Sequence, residues 1–155
     1  MPGNRHGPNR FTNYEETHDA IMGQFIDRGF VLNHTLLFNP IGGALITLLG
    51  EVRCVSGIEV DVSKILQVVD GEGPNATVQT VTYSYNASLA GIGNIVRYDS
   101  PHEDHNQFHH VHRYDVFNDD SEGTLESCEW PTLGDVLSEL ETWFYAHYDR
   151  LSLGN

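Results

Sequence analysis

The chain has 155 residues, 22 of them acidic against 8 basic, and a formal net charge of -14. That length suits one domain able to bury about two-thirds of its unfolded surface. The longest apolar run, "IGGALITLLG", is about half a membrane span, and Cys54 and Cys128 match neither a C-x-x-C metal clamp nor a disulfide framework.

The charge has physical consequences. Lys64 is the only lysine, and the other seven basic residues are arginines. Self-repulsion at this charge destabilises a compact state in dilute buffer. In molar salt the Debye length falls to about 3 Å and the repulsion is screened. An acidic, lysine-poor composition therefore points to a cytoplasmic protein of an extreme halophile. It does not exclude nucleic acid as a partner: phosphate attraction is screened as well, and binding would rest on stacking, hydrogen bonds and local geometry. No apolar secretory segment opens the sequence, no membrane association is expected, and both cysteines are expected as buried thiols.

In chain order, residues 1–10 are expected as a disordered tail and residues 11–155 as a single α+β domain. Thr12 to Glu15 has the form of a capping box. Ile21, Met22, Phe25 and Ile26 follow at helical spacing before Gly29, predicting a helix over about residues 14–28. The middle reads as strands. "ALITLLGEVRCV" (44–55) is aliphatic and β-branched. "IEVDVSKILQVV" (58–69) places Ile58, Val60, Val62, Leu66 and Val68 on one face, while Glu59, Asp61 and Ser63 open the other, the pattern of a half-buried antiparallel strand. "ATVQTVTYSYNASL" (76–89) and "NIVRYDS" (94–100) read as further strands, the second ended by Pro101. After a loop at 101–108, "HHVHRYDVF" (109–117) is strand-like and "TLESCEW" (124–130) is a candidate last strand.

Pro131 stands where a first helical residue would. Leu133, Val136, Leu137, Leu140, Trp143, Phe144 and Leu151 form an amphipathic stripe flanked by Glu139 and Glu141. His147, on that stripe, is expected as a hydrogen-bonded histidine near a helix end. The sum is an α+β fold: an antiparallel sheet of four to six strands, with an N-terminal helix and a C-terminal amphipathic helix packed on one face.

The chemistry concentrates in "RYDSPHEDHNQFHHVHRYDVF". His102, His105, His109, His110 and His112, five of nine histidines, fall within eleven residues. Three readings of this cluster are open. In the first it is a metal site. His110 and His112 are two apart, so on a strand they project to one face, and Asp99 or His105 would supply a third ligand for zinc or another divalent metal. In the second it does metal-free acid–base work on RNA. Histidine titrates near neutrality, the arginine fork holds phosphate, and tyrosine rings stack bases. This assigns catalysis to His110, His112, Asp99 and Arg97 with no cofactor, and nucleic-acid contacts to Tyr98, Arg113 and Tyr114. In the third it is a polar loop between two strands, and the chain is a non-enzymatic interaction module. The second requires the face of Arg97 and Asp99 to coincide with that of His110 and His112, which strand register decides.

The order strand–Arg97-Tyr98-Asp99, loop, His110-x-His112, terminal helix resembles the TumE-type toxins of toxin–antitoxin systems, as a diverged, haloarchaeal-like member. Ser100 replaces the family's asparagine, His109 stands where an aspartate would, and Arg113-Tyr114-Asp115 follows where the family carries Gly-Gly. The resemblance covers about residues 94–148. It implies a cytoplasmic toxin paired with a small helix-turn-helix antitoxin, with RNA as a plausible target and a ribonuclease as the enzyme class. A homodimer is compatible with it.

The charge argument makes a direct prediction. Circular dichroism should report a cooperative fold in molar KCl and lost structure in dilute buffer. Equal folding in both would contradict the halophilic reading.

Overall fold

The computed structural model describes residues 6–101, 108–120 and 122–152. Among them the chain folds as an α+β unit around one large antiparallel sheet. Strand β1 (Asn9–Arg10) leads into helix α1 (Phe11–Asp27), then β2 (Val31–His34), β3 (Leu37–Ile41), β4 (Leu45–Cys54), β5 (Ile58–Asp70), β6 (Thr77–Leu89), β7 (Gly93–Asp99), β8 (His110–Arg113) and β9 (Thr124–Ser127), and finally helices α2 (Leu133–Ala146) and α3 (Tyr148–Ser152). The sheet runs β2-β4-β5-β6-β7-β8-β9, with β3 also on β4 and β1 also on β6.

Nine strands exceed the four to six expected. The three unforeseen ones are short edge pieces. β2 and β3 share one edge of β4, and β2 carries a register shift between Val31 and Asn33. β3 contains Pro40, which only an edge strand tolerates. Neither segment has the alternating run that marks a strand in sequence. Their corner crosses β4 at Gly50, where a Cβ would lie 2.7 Å from the Thr35 carbonyl carbon. Glycine is what allows that crossing. β1 is two residues long and pairs with Thr77 and Val78. Residues 6–10 of the expected tail thus lie against the sheet, and the His6 ring stacks on Trp130 at 4.0 Å.

The predicted alternation in β5 holds: Ile58, Val60, Val62 and Leu66 are buried, Asp61 and Ser63 exposed. Register carries that face across the sheet, from Val60 to Ala87 and Val96, and from Val62 to Tyr85, Tyr98 and Val111. These residues share one apolar cluster with Met22 and Phe25 of α1 and with Leu133, Val136, Leu137, Leu140 and Phe144 of α2. Arg28, just past α1, grips Glu141 of α2 through two hydrogen bonds of 3.0 and 3.2 Å. The opposite face carries Asp61, Ser63, Ser84, Asn86, Arg97 and Asp99.

Two helix-start expectations are corrected. Thr12 does not cap α1, which starts at Phe11 with no side-chain cap, and the hydroxyl of Thr12 donates to the Pro74 carbonyl instead. The capping box belongs to α2, between Thr132 and Asp135, so Pro131 precedes the cap. The terminal helix also breaks at His147, whose Nδ1 donates to the Trp143 carbonyl at 2.8 Å, as expected of a histidine at that position. Cys54 is buried and Cys128 is half-buried. Among the described residues no helix is long and apolar enough to cross a membrane.

His18 of α1 packs edge-on against Phe38 at 5.1 Å. Burial pushes its pKa from 6.5 down to about 4, with His34 and Lys64 adding to the effect and Asp19 opposing it. Unfolding therefore takes up a proton between these values. The contribution to stability is full above pH 6.5 and is lost as pH falls to about 4. In His18→Gln the urea midpoint should vary less with pH across that window than in the parent chain, and equal slopes would contradict this assignment.

Candidate functional site

The register of β7 on β8 settles whether the two strand faces coincide. Arg97 stands opposite His112, and Asp99 opposite His110. Side chains at paired positions point to the same side of an antiparallel sheet. Arg97, Asp99, His110 and His112 therefore share the face turned away from the apolar cluster.

Several contacts fix that register. Val96 and Val111 are buried in the core. Ser100 exchanges hydrogen bonds with the Tyr83 backbone of β6 at 3.1–3.2 Å, which anchors the end of β7. On the core side Tyr98 donates its hydroxyl to Glu139 of α2 at 2.7 Å. Arg113 pairs with the same carboxylate and donates to the Tyr98 hydroxyl at 3.2 Å. Burial, then the Glu139 hydrogen bond, pushes the Tyr98 phenol up to about 12. Tyr98 and Arg113, expected to contact nucleic acid, are thus on the other face and committed to α2. Tyr114, the third expected contact, stays beside the cluster, with its ring 6.4 Å from that of His112 and nearly parallel to it. His109 is also on the core side, where it accepts or donates at 2.7 Å with the Tyr83 hydroxyl and stacks on Trp130. Burial and the neighbouring His110 lower its pKa.

Within the cluster the Arg97 Nε lies 2.9 Å from Asp99 Oδ2. That carboxylate is 6% exposed, whereas the arginine side chain is 47% exposed. His110 is fully buried. Its Nδ1 lies 3.2 Å from the Phe108 carbonyl. A carbonyl only accepts, so Nδ1 is the donor in this contact. Nε2 lies 3.6 Å from Asp99 Oδ2. The half-buried His112 sits edge-on to His110, ring centres 5.4 Å apart. One ligand atom from each of Asp99, His110 and His112 lies within 4.8 Å of the other two. Tetrahedral ligands about 2.1 Å from an ion stand about 3.4 Å apart, so rotamer shifts that bring the three atoms closer by about 1 Å would place them on one shell.

His105, expected as a third metal ligand, lies outside the described residues, as do His102, Glu103 and Asp104. Two parts of the site had little sequence signal. Glu139 was visible only as an acid flanking the α2 stripe, and the Phe108 carbonyl that sets the His110 tautomer is backbone and leaves no trace in residue type.

Comparison with protein-family models, with curated proteins and with solved structures finds no match to this chain.

Proposed function

We propose that Asp99, His110 and His112 form a divalent transition-metal site, and that the chain is a metal-dependent, hydrolase-like domain acting on an anionic substrate. The observation that carries this reading is the convergence of three ligand atoms from two paired strands within 4.8 Å. Two imidazoles and one carboxylate suit zinc and its first-row neighbours. Three protein ligands are the number found in catalytic rather than structural zinc sites. The bond from Nδ1 of His110 to a backbone carbonyl is the outer-shell arrangement that orients a ligating histidine. Such a metal would polarise a substrate oxygen and lower the pKa of a coordinated water.

The chain's own residues supply the rest. The half-exposed guanidinium of Arg97, directly opposite His112, is placed to hold a phosphate or carboxylate oxygen. Tyr114 offers a ring beside His112 for an aromatic or base moiety. Asp99 keeps Arg97 on the sheet face through its 2.9 Å contact.

A second reading has its own observation. Arg97 and His112 are paired neighbours that both reach solvent, whereas His110 is fully buried. A metal-free ribonuclease would then use His112 as the proton-handling group and Arg97 as the phosphate clamp, with Asp99 and His110 as positioning residues. This version keeps the toxin role, the RNA target and the helix-turn-helix antitoxin that the TumE-type motifs imply.

Calorimetric titration of tag-free protein with Zn2+ and Mn2+ separates the two. One ion should bind per chain. Affinity should fall at least tenfold, and on the order of 100-fold, in Asp99→Asn and His112→Ala. Unchanged affinity in the Asp99→Asn/His112→Ala double variant would refute the metal site. RNA cleavage that survives chelation but is lost in His112→Ala would establish the second reading.

A further inference from the structure

On the other side of the sheet, a cavity of about 310 Å³ lies between α1, the start of α2 and the strands. Its walls are largely apolar: Ile21, Leu48 and Leu133 line it with the ring of Tyr14. Lys64 also lines it, alternating onto the core face of β5 with Val62 and Leu66. This single lysine of the chain is 6% exposed. Its ammonium sits 4.8 Å from the centre of the Tyr14 ring, and among the described residues no carboxylate forms an ion pair with it. In a chain with 22 acidic residues, the one lysine forms an ion pair with none of those the structure describes. Burying an unpaired ammonium is unfavourable.

Other donors converge on the same space. Tyr85 is fully buried, lines the cavity, and its hydroxyl has no hydrogen-bond partner. Leu133 and Gly134 lie in the first turn of α2, where amides have no partner inside the helix. The helix start also carries partial positive charge. The nearby carboxylates Asp19 and Asp135 are exposed to solvent, and Asp135 is used in the capping box.

We propose that this cavity binds a small organic carboxylate with an apolar body, the carboxylate meeting Lys64, Tyr85 and the first-turn amides of α2. Asn9, Thr17, His18 and Thr132 also line the space, but among the described residues no carboxylate pairs with Lys64 and the Tyr85 hydroxyl has no partner, a setting that suits an anion, and the apolar walls suit a hydrocarbon or aromatic body. The volume lies at the small end of ligand pockets, which span about 300–1,000 Å³. Burial lowers the Lys64 pKa from 10.5 to about 8, the direction expected of an ammonium held without a counter-charge. The site is separate from the histidine cluster and does not depend on metal there.

Phenylacetate and its neutral counterpart 2-phenylethanol test this by calorimetry and thermal shift at fixed ionic strength. Phenylacetate, or hexanoate as a second acid, should bind once per chain and raise Tm, and the alcohol should bind at least tenfold more weakly. Lys64→Met should lose at least tenfold in acid affinity, Tyr85→Phe severalfold, and Asp99→Asn nothing. The acid–alcohol comparison and Tyr85→Phe decide the matter even where Lys64→Met does not fold. Equal binding of acid and alcohol, undiminished acid affinity in Lys64→Met, or no binding of either acid at millimolar concentration would each overturn the proposal.

Discussion

The polar cluster depends on one strand pairing, β7 against β8. A strand has two faces, and a slip of one residue exchanges them. In the observed register Val96, Tyr98 and Val111 enter the core, and Arg97, Asp99, His110 and His112 gather on the far side. A slip of β8 by one residue would direct the two histidines into the apolar cluster and Val111 away from it. The core therefore sets the site indirectly: the register that buries the valines also assembles the polar cluster. The contact of Glu139 with both Tyr98 and Arg113 adds a link from α2 to the two strands at the same place. From the core side Glu139 ties down the strands that present the cluster residues.

The two faces of the sheet meet charge in opposite ways. On the far face, Asp99 is almost fully buried and Arg97 lies on it at 2.9 Å, with the His110 ring at 3.6 Å. Several cation-forming groups surround one carboxylate. On the core face, Lys64 is nearly as buried, and among the described residues it has an aromatic ring but no carboxylate. Asp99 is thus compensated by its neighbours, whereas burying Lys64 without a carboxylate carries a desolvation cost that an anionic ligand would reduce. A chain with this excess of acid has ample carboxylates to neutralise Lys64 at the surface. Its lysine lies instead over a cavity that also holds an unpartnered tyrosine hydroxyl.

Much of the fold was legible in the sequence, for identifiable reasons. β4, β5 and β6 are long enough for a period of two to stand out, and the apolar stripe of α2 is dense enough to mark its face. β2 and β3 were not legible because they pair only along one edge, so neither needs an alternating pattern. The capping signal was read at the wrong helix. Thr12 and Glu15 have the right spacing but α1 begins before them, whereas Thr132 and Asp135 form the box with the shorter acid. At the site, residue types identified Asp99, His110 and His112, but the face they share came from register. The same alternation that groups them places Tyr98 and Arg113 on the other side, although their residue types had suggested base stacking and phosphate contacts. The burial of Lys64 was implicit in the alternation of β5, since it lies between Val62 and Leu66 on the same face.

The central claim is that the paired strands present three ligand atoms to one ion. Anomalous diffraction from crystals of the tag-free chain grown with Zn2+, recorded on both sides of the zinc absorption edge, tests it most directly. The account predicts one strong peak about 2.0–2.2 Å from Asp99, His110 and His112. A crystal saturated with zinc that shows no peak between these three side chains would contradict it.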